Sequence, residues 1–243
     1  MARYFLLLLT FLTFFLFPIT GLADILVDDM LVLKGDETML SAQTRGRFFT
    51  EGGRMVEFFL NGKSLGKSLS GGDGFAYKPF TPVKTGLFQI AVTSGEDDNT
   101  GLLLSLKKGD KVIFIDVEAS LFDGIFAQKP KGGSQEVIKG LSEKYPVVFL
   151  QTGFLSIKVL KLWLKENGFV DLPVLAWEEG KLFDKINKKG LKIKVIIGSQ
   201  SVIGSAQEYK PQSFSFEEAE NAVVIKNWEE IGGMLLKEKK HSH

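Results

Sequence analysis

The spacing of hydrophobic and polar positions changes near residues 107–110. Before this point apolar residues recur at every second position, as at Phe88, Ile90 and Val92, and a period of two indicates half-buried strands. After it, short apolar runs alternate with segments of helical spacing, which indicates that strands alternate with helices. We therefore predict two units that fold separately, residues 24–110 and residues 111–243.

Turn signals separate the strands of the first unit. Asn61-Gly62 stands between two strand-like stretches, residues 55–60 and 63–69. This dipeptide favours a two-residue hairpin, because both turn positions need positive φ. Further glycine-rich turns divide the unit into short strands, which predicts a β-sandwich.

Parts of this unit resemble bacterial immunoglobulin-like domains. The resemblance extends over about residues 30–108 and rests on three stretches: 56–66, 74–77 and 85–88. It implies a fold but no particular function.

The second unit has the pattern of a parallel, doubly wound α/β sheet. Strands are predicted at residues 112–115, 147–151, 173–176, 193–197 and 223–225. Helices are predicted at residues 134–144, 156–167, 181–189 and 228–236. The first of these helices has Ser134 as its expected N-cap.

The most informative stretch lies at the start of the second unit. The predicted strand 112–115 runs into Asp116, and Glu118 and Ser120 follow at spacings of two. A carboxylate at the carboxyl end of a buried parallel strand stands where open α/β sheets place their ligands. A later segment, residues 195–201, has the same strand-then-loop pattern but no acid. The alternative is that Asp116 caps the turn after its strand, as such residues often do.

The composition of the chain argues against several kinds of catalytic and metal-binding site. The chain has no cysteine, so disulfides, thiolate nucleophiles and cysteine-bound metals are excluded. Its two histidines, His241 and His243, lie at the carboxyl terminus, which argues against a serine–histidine–aspartate triad and against a histidine-rich zinc site. The formal net charge of +1 does not indicate a nucleic-acid partner.

Residues 111–236 resemble the haloacid dehalogenase superfamily. The resemblance rests on Asp116-Val117-Glu118-Ala119-Ser120 and on a strand that ends at Thr152. It implies a Rossmann-like fold in which Asp116 is the phosphorylated nucleophile and Glu118 is the general acid. It also implies phosphate binding by three residues: Ser120, Thr152 and Gly153.

The chain departs from the superfamily pattern at the fourth motif. Where the superfamily has metal-binding acids, this chain has Ser199 and Ile203. Mg²⁺ is usually held by carboxylates, and Asp116 is the acid that remains as a weak metal ligand. The lysine of the third motif is Lys181 or Lys185, since spacing leaves both open. We therefore expect a pseudoenzyme that has no cofactor. If the domain is catalytic instead, we expect its activity to depend on Mg²⁺.

Three functions stay open. The first is noncatalytic binding or scaffolding, with an envelope or extracellular protein as partner. The second is a phosphoric monoester hydrolase with an altered site, acting on phosphate esters or phosphatidate. The third is an envelope adhesion or assembly module that works through the immunoglobulin-like unit. Loss of the metal-binding acids favours the first function over the second, because phosphoryl transfer depends on neutralising charge.

Residues 1–23 have the pattern of a signal peptide. Arg3 precedes an apolar run, residues 5–17, which ends at Pro18, and small residues precede Asp24. We predict export with cleavage after Ala23, which makes the mature protein periplasmic or secreted. The alternative is an uncleaved segment that anchors the protein in the membrane, and only in that case do we expect membrane contact.

Overall fold

The computed structural model describes residues 24–46, 49–124 and 129–236. The predicted signal peptide and the two histidines therefore lie outside the described residues. Within the described ranges, no helix combines the length and the apolar character that crossing a membrane requires.

The first unit is a β-sandwich of two sheets. Its eight strands are β1 (Asp24–Val27), β2 (Met30–Leu33), β3 (Thr38–Arg45), β4 (Met55–Leu60), β5 (Lys63–Leu69), β6 (Phe75–Phe80), β7 (Gly86–Ser94) and β8 (Asp97–Leu106). One sheet has the order β1-β3-β6 and the other the order β2-β8-β7-β4-β5. Side chains of both sheets form one buried cluster, in which Ile25 and Leu40 of the first sheet pack with Phe58 and Ile90 of the second. The predicted sandwich is confirmed.

The hairpin between β4 and β5 is also confirmed. Asn61 and Gly62 form its turn with φ values of 46° and 79°, the positive values that the two-residue turn requires. The two strands pair antiparallel from Met55 opposite Leu69 to Leu60 opposite Lys63.

The second unit is a six-stranded parallel sheet with helices on both faces. Its strands are β9 (Lys111–Asp116), β10 (Val147–Gln151), β11 (Val174–Ala176), β12 (Lys192–Ile197), β13 (Gln212–Ser215) and β14 (Val223–Val224). Its helices are α1 (Val117–Leu121), α2 (Ser134–Lys144), α3 (Ile157–Glu166), α4 (Lys181–Lys188), α5 (Gln200–Ser205) and α6 (Trp228–Leu235). The strand order is β11-β10-β9-β12-β13-β14, so the direction of winding reverses between β9 and β12.

Alternate residues of each central strand face opposite sides of the sheet. In β9, Ile113 and Ile115 pack with helices α2, α3 and α6, whereas Val112 and Phe114 pack with α4 and α5. Both faces are thus covered by apolar side chains, which is why the central strands are continuous apolar runs in the sequence.

Two local expectations for the second unit were wrong. Gly133, not Ser134, is the N-cap of α2, because a left-handed residue (φ 73°) turns the chain into the helix there. Ser134 is the first helical residue, and its hydroxyl donates to the Lys131 carbonyl at 2.6 Å. Strand β14 ends at Val224 instead of residue 225. Strand β13 was not predicted, because Gln212–Ser215 has Phe214 as its one large apolar residue.

The two units share buried contacts. Leu31, Leu104 and Leu106 of the sandwich belong to the same buried cluster as the side chains beneath α4 and α5. Asp29, in the turn between β1 and β2, has a fully buried side chain that forms an ion pair with Lys161 of α3 at 2.6 Å. Separate folding of the two units stays a prediction, and these contacts argue for mutual dependence.

Candidate functional site

Asp116 lies where the sheet changes its direction of winding. It is the last residue of β9, whose neighbours are β10 and β12. In open α/β sheets, the crevice between strands whose connections leave in opposite directions is the usual place for a ligand. The Asp116 residue is only 1% exposed, so its carboxylate is held below the protein surface.

Three strand ends meet at the Asp116 carboxylate. Oδ1 accepts hydrogen bonds from the Thr152 hydroxyl at 2.7 Å and from the Ala119 backbone N–H at 3.2 Å. Oδ2 accepts hydrogen bonds from the Ser199 hydroxyl at 3.0 Å and from the Ser199 backbone N–H at 3.3 Å. These donors follow β9, β10 and β12, so the carboxylate ties the three strands together. Each carboxylate oxygen already has two donors, and all of them are neutral.

Gly198 permits the close approach of β12 to Asp116. A Cβ atom at position 198 would lie 2.8 Å from the Cβ of Asp116, which is closer than carbon atoms approach without a shift of the backbone. The glycine is therefore a steric requirement for the Ser199–Asp116 hydrogen bonds.

Glu118 turns toward the loop that follows β10. Its Oε1 accepts a hydrogen bond from the Leu155 backbone N–H at 3.1 Å. Its Oε2 fills the space beside Gly153, where any side chain would overlap it. Burial raises the pKa of the Glu118 carboxyl, the Leu155 hydrogen bond lowers it, and the Asp116 carboxyl adds a smaller rise. Glu118 thus supports this loop.

The other predicted phosphate ligand, Ser120, and the replaced acid at Ile203 lie in the core. Ser120 is fully buried at the end of α1, and its hydroxyl has no partner within the described part of the chain. Ile203 is buried with the side chains beneath α5. Phosphate binding by Ser120, Thr152 and Gly153 stays a prediction.

The two candidate lysines lie on α4. Lys185 forms an exposed ion pair with Glu178, with Nζ and Oε2 2.6 Å apart. Lys181 is the first residue of the helix and is exposed. Among the described residues, neither lysine forms a hydrogen bond or an ion pair with Asp116. The choice between the two lysines stays open.

The donor set does not fit Mg²⁺. This ion takes oxygen ligands in near-octahedral geometry and is usually held by one or two carboxylates. Here Ser199 stands in the place of a second carboxylate, and its hydroxyl donates to Oδ2 of Asp116. Across residues 24–46, 49–124 and 129–236, no group of three or more acidic or histidine side chains is placed to hold a metal ion.

Sequence reasoning missed Gln151, the last residue of β10, and Phe154, in the loop that follows this strand. The Gln151 side chain donates to the Gly153 carbonyl at 2.8 Å, and Phe154 is fully exposed. A phenylalanine just before a helix N-cap, outside any apolar period, was the signal for the second of these residues.

Comparison with known proteins finds immunoglobulin-like domains that are similar to part of the chain. No protein-family model and no curated protein matches the chain. The IG27 protein domain is 11% identical with a TM-score of 0.30, and the match covers 35% of this chain and 99% of that one. The D00-D0 domain of intimin is 12% identical with a TM-score of 0.31, and the match covers 38% of this chain and 52% of that one.

A third similar structure is that of the fibronectin(III)-like modules of CbhA from Clostridium thermocellum. It is 10% identical with a TM-score of 0.27, and the match covers 34% of this chain and 97% of that one. These likenesses concern an immunoglobulin-like β-sandwich over part of the chain and give no information on function.

Proposed function

We propose that this is an exported, noncatalytic binding or scaffolding protein whose second unit is a haloacid dehalogenase-like domain without a metal site. The superfamily resemblance is supported by geometry: Asp116, Thr152 and Ser199, from its first, second and fourth motifs, meet at one edge of a parallel sheet. The partner that we propose is an envelope or extracellular protein.

One observation carries the noncatalytic part of the proposal. Ser199 donates to Asp116 Oδ2 at 3.0 Å, and it stands at the position where the superfamily has a metal-binding acid. An aspartate nucleophile that attacks a phosphate dianion needs a cation between the two anions. A buried carboxylate with two donors on each oxygen is instead a stable structural group. The environment of Asp116 is therefore that of a residue that caps the turn after its strand.

A second candidate function, an Mg²⁺-dependent phosphatase with an altered site, is favoured by Glu118. Its raised pKa is the property that a general acid requires near neutral pH. Against this function, Oε1 of Glu118 accepts from Leu155 N–H and Oε2 lies against Gly153, so the carboxyl supports a loop.

The first experiment is an assay of phosphate-ester hydrolysis with Mg²⁺, using an aryl phosphate and phosphatidate as substrates. We expect no turnover by the native protein. Turnover that requires Mg²⁺ and disappears in Asp116→Asn would establish the phosphatase function and refute the noncatalytic proposal.

A second experiment restores the missing acid. In Ser199→Asp, two carboxylates face each other at the strand ends, and we expect a higher Mg²⁺ affinity than that of the native protein, measured by calorimetry. Ser199→Asn is the matched control, because it has the same shape without the charge. If Ser199→Asp binds Mg²⁺ no better than Ser199→Asn, the edge does not descend from a metal site and the superfamily resemblance loses its support.

A further inference from the structure

Five exposed lysines lie together where strands β9 and β12 begin. Lys107 and Lys108 belong to the turn that leads into β9, and Lys111 is the first residue of that strand. Lys188 is the last residue of α4, and Lys192 is the first residue of β12. We call these five residues the basic edge. It lies at the opposite end of β9 from Asp116.

Backbone contacts hold the two segments of the basic edge side by side. The Gly109 N–H donates to the Gly190 carbonyl at 2.8 Å, and the Lys192 N–H donates to the Asp110 carbonyl at 2.9 Å. A Cβ atom at position 190 would lie 2.8 Å from a side-chain carbon of Lys108, so this lysine lies against the second segment. The ammonium groups of the two segments are therefore brought to one place by the fold.

Lys111 and Lys192 are direct neighbours in the paired strands. Neighbouring strands lie about 4.8 Å apart, and like charges in such positions destabilise a sheet. The chain has 29 acidic residues for 30 basic ones, so an acid at either position would have made an attractive pair. Both strands are central, so protection of an exposed sheet edge does not account for the lysines. A local rule broken in this way is expected where function depends on it.

The neighbouring acids do not neutralise the basic edge. Among the residues that the structure describes, its five ammonium groups form no ion pair and no hydrogen bond. The acids of the adjoining segments are fewer: Asp36, Asp110 and Glu143. The Asp110 carboxylate also accepts from the Lys107 backbone N–H at 2.8 Å, as part of the turn. The formal net charge of +1 for the whole chain therefore conceals a local excess of positive charge.

The residue types of the basic edge indicate a hydrated partner that carries phosphate groups. The arginines of the chain all lie within residues 3–54, so the basic edge has lysine alone. Lysine binds phosphate as a point charge and lacks the fork with which arginine binds carboxylates bidentately. Leu191 is buried, and no large apolar residue of segments 107–111 and 188–192 is exposed.

Such a surface is poorly suited to other kinds of partner. Protein–protein interface cores are depleted in lysine, and insertion into a bilayer needs exposed apolar side chains. Binding of single-stranded nucleic acid uses aromatic rings on which bases stack. The ring of Tyr145, beside this edge, is instead covered by the ammonium group of Lys194, 4.9 Å from its centroid.

We propose that the basic edge binds a linear polymer whose charges are phosphate groups. A polymer brings several phosphates to lysines that are spread over two segments, and the release of its counterions favours the complex. The proposal goes beyond the binding function proposed above and does not depend on whether Asp116 is catalytic. The polymer is a partner in addition to the protein partner proposed above.

The test uses the full chain and linear polyphosphate with a fluorescent end label, whose anisotropy is measured over a series of salt concentrations. The test variant combines Lys111→Gln with Lys192→Gln. The matched control combines Lys63→Gln with Lys84→Gln, because these lysines are exposed on the sandwich and their loss changes the net charge equally. Poly-L-glutamate at the same concentration of charges is the comparison polymer.

We expect the native protein to bind polyphosphate with an affinity that falls as salt is added. The test variant should bind about twentyfold more weakly, from about fivefold for each lost lysine. Its slope of log affinity against log salt should be shallower by about 1.4, from about 0.7 for each lost phosphate contact. The control should change little. Poly-L-glutamate should bind more weakly than polyphosphate, because its charges stand on flexible side chains that lose freedom on binding.

Lys192→Glu separates ligand binding from a structural role. Its carboxylate faces Lys111, so we expect a higher urea midpoint than in the native protein together with weaker polymer binding. A lysine that only protects the apolar strand from aggregation could be replaced by an acid without loss of binding. All of the substituted side chains are exposed, so the variants should fold, which tryptophan fluorescence checks.

Four results would overturn the proposal. The first is no salt-dependent binding of polyphosphate, and the second is an equal loss of binding in the Lys63 and Lys84 control. The third is equally tight binding of poly-L-glutamate, which would remove the role of phosphate. The fourth is self-association of the native protein in sedimentation that the test variant abolishes, which would mean that a second copy covers the basic edge. The phosphate-ester assay is independent of all four results, so this proposal and the proposed function can fail separately.

Discussion

Asp29 is the residue whose loss should most clearly reveal how the two units depend on each other. Its fully buried carboxylate accepts hydrogen bonds from Leu102 N–H of the sandwich at 2.7 Å and from Val174 N–H of β11 at 2.8 Å. It also forms the 2.6 Å ion pair with Lys161 of α3. One side chain therefore joins three segments, two of which belong to the second unit.

The loss of unfolding free energy in Asp29→Ala follows from the groups that lose their hydrogen-bond acceptor. Two backbone N–H groups lose their acceptor, and each buried unsatisfied donor costs about 1–3 kcal/mol. Lys161 is less affected, because its partly exposed ammonium group can turn to water. The two unsatisfied donors together cost about 2–6 kcal/mol, and we adopt this range for Asp29→Ala. For a chain of this size that corresponds to a fall in Tm of about 10 °C.

The assay uses the positions of the tryptophans. All three, Trp163, Trp177 and Trp228, lie in the second unit, so their fluorescence reports the unfolding of that unit alone in urea. Asp29 belongs to the first unit, yet we expect Asp29→Ala to lower the tryptophan-monitored midpoint. Asp28→Ala, at the exposed neighbouring position, is the matched control and should change stability little. An unchanged tryptophan midpoint in Asp29→Ala would refute the mutual dependence and support two separately folding units.

Two further predictions concern Glu118 and its loop. Gly153→Ala should destabilise the protein by about 0.5–1.5 kcal/mol, because the new methyl group displaces the Glu118 carboxyl from Leu155 N–H. A larger loss, or no recovery in the double variant Gly153→Ala with Glu118→Ala, would contradict this cause. Burial raises the folded-state pKa of Glu118, so its ionisation lowers stability as pH rises above the ordinary carboxyl range. We therefore expect Glu118→Gln to gain stability relative to the native protein as the pH rises above the ordinary carboxyl pKa of 4.5, measured from urea midpoints, and a relative loss would contradict the sign.

The architecture could be predicted from the sequence where packing leaves a periodic pattern. The Asn61-Gly62 hairpin and the strand before Asp116 were visible, because turn chemistry and two-sided burial both restrict which residues fit. Strand β13 was missed because its four residues are mostly polar and small. The N-cap of α2 was predicted one residue too late, at Ser134, because Gly133 serves as the cap through its backbone conformation.

The candidate site could be predicted in position but not in chemistry. The superfamily resemblance grouped Asp116, Thr152 and Ser199, and in the structure they follow β9, β10 and β12, which are neighbours in the sheet. The direction in which Glu118 turns was not visible, because it depends on Leu155 N–H and on the space beside Gly153. Asp29 gave no signal at all, since its partners lie 73, 132 and 145 residues along the chain.

Glu118 connects the Asp116 edge with the loop that holds Phe154. Its carboxyl lies near Asp116 and also accepts from Leu155, the residue directly after Phe154. A general acid must direct a protonated oxygen at its substrate, whereas Oε1 of Glu118 accepts from Leu155 N–H and Oε2 lies against Gly153. The geometry favours the support. If that role is correct, Gly153→Ala should loosen the Phe154 loop, and we expect faster amide hydrogen exchange at Leu155, whose N–H loses its acceptor. The same variant should leave the Ser199–Asp116 hydrogen bonds in place. The ordering of the Phe154 loop and the hydrogen bonds at the strand ends can therefore be tested separately.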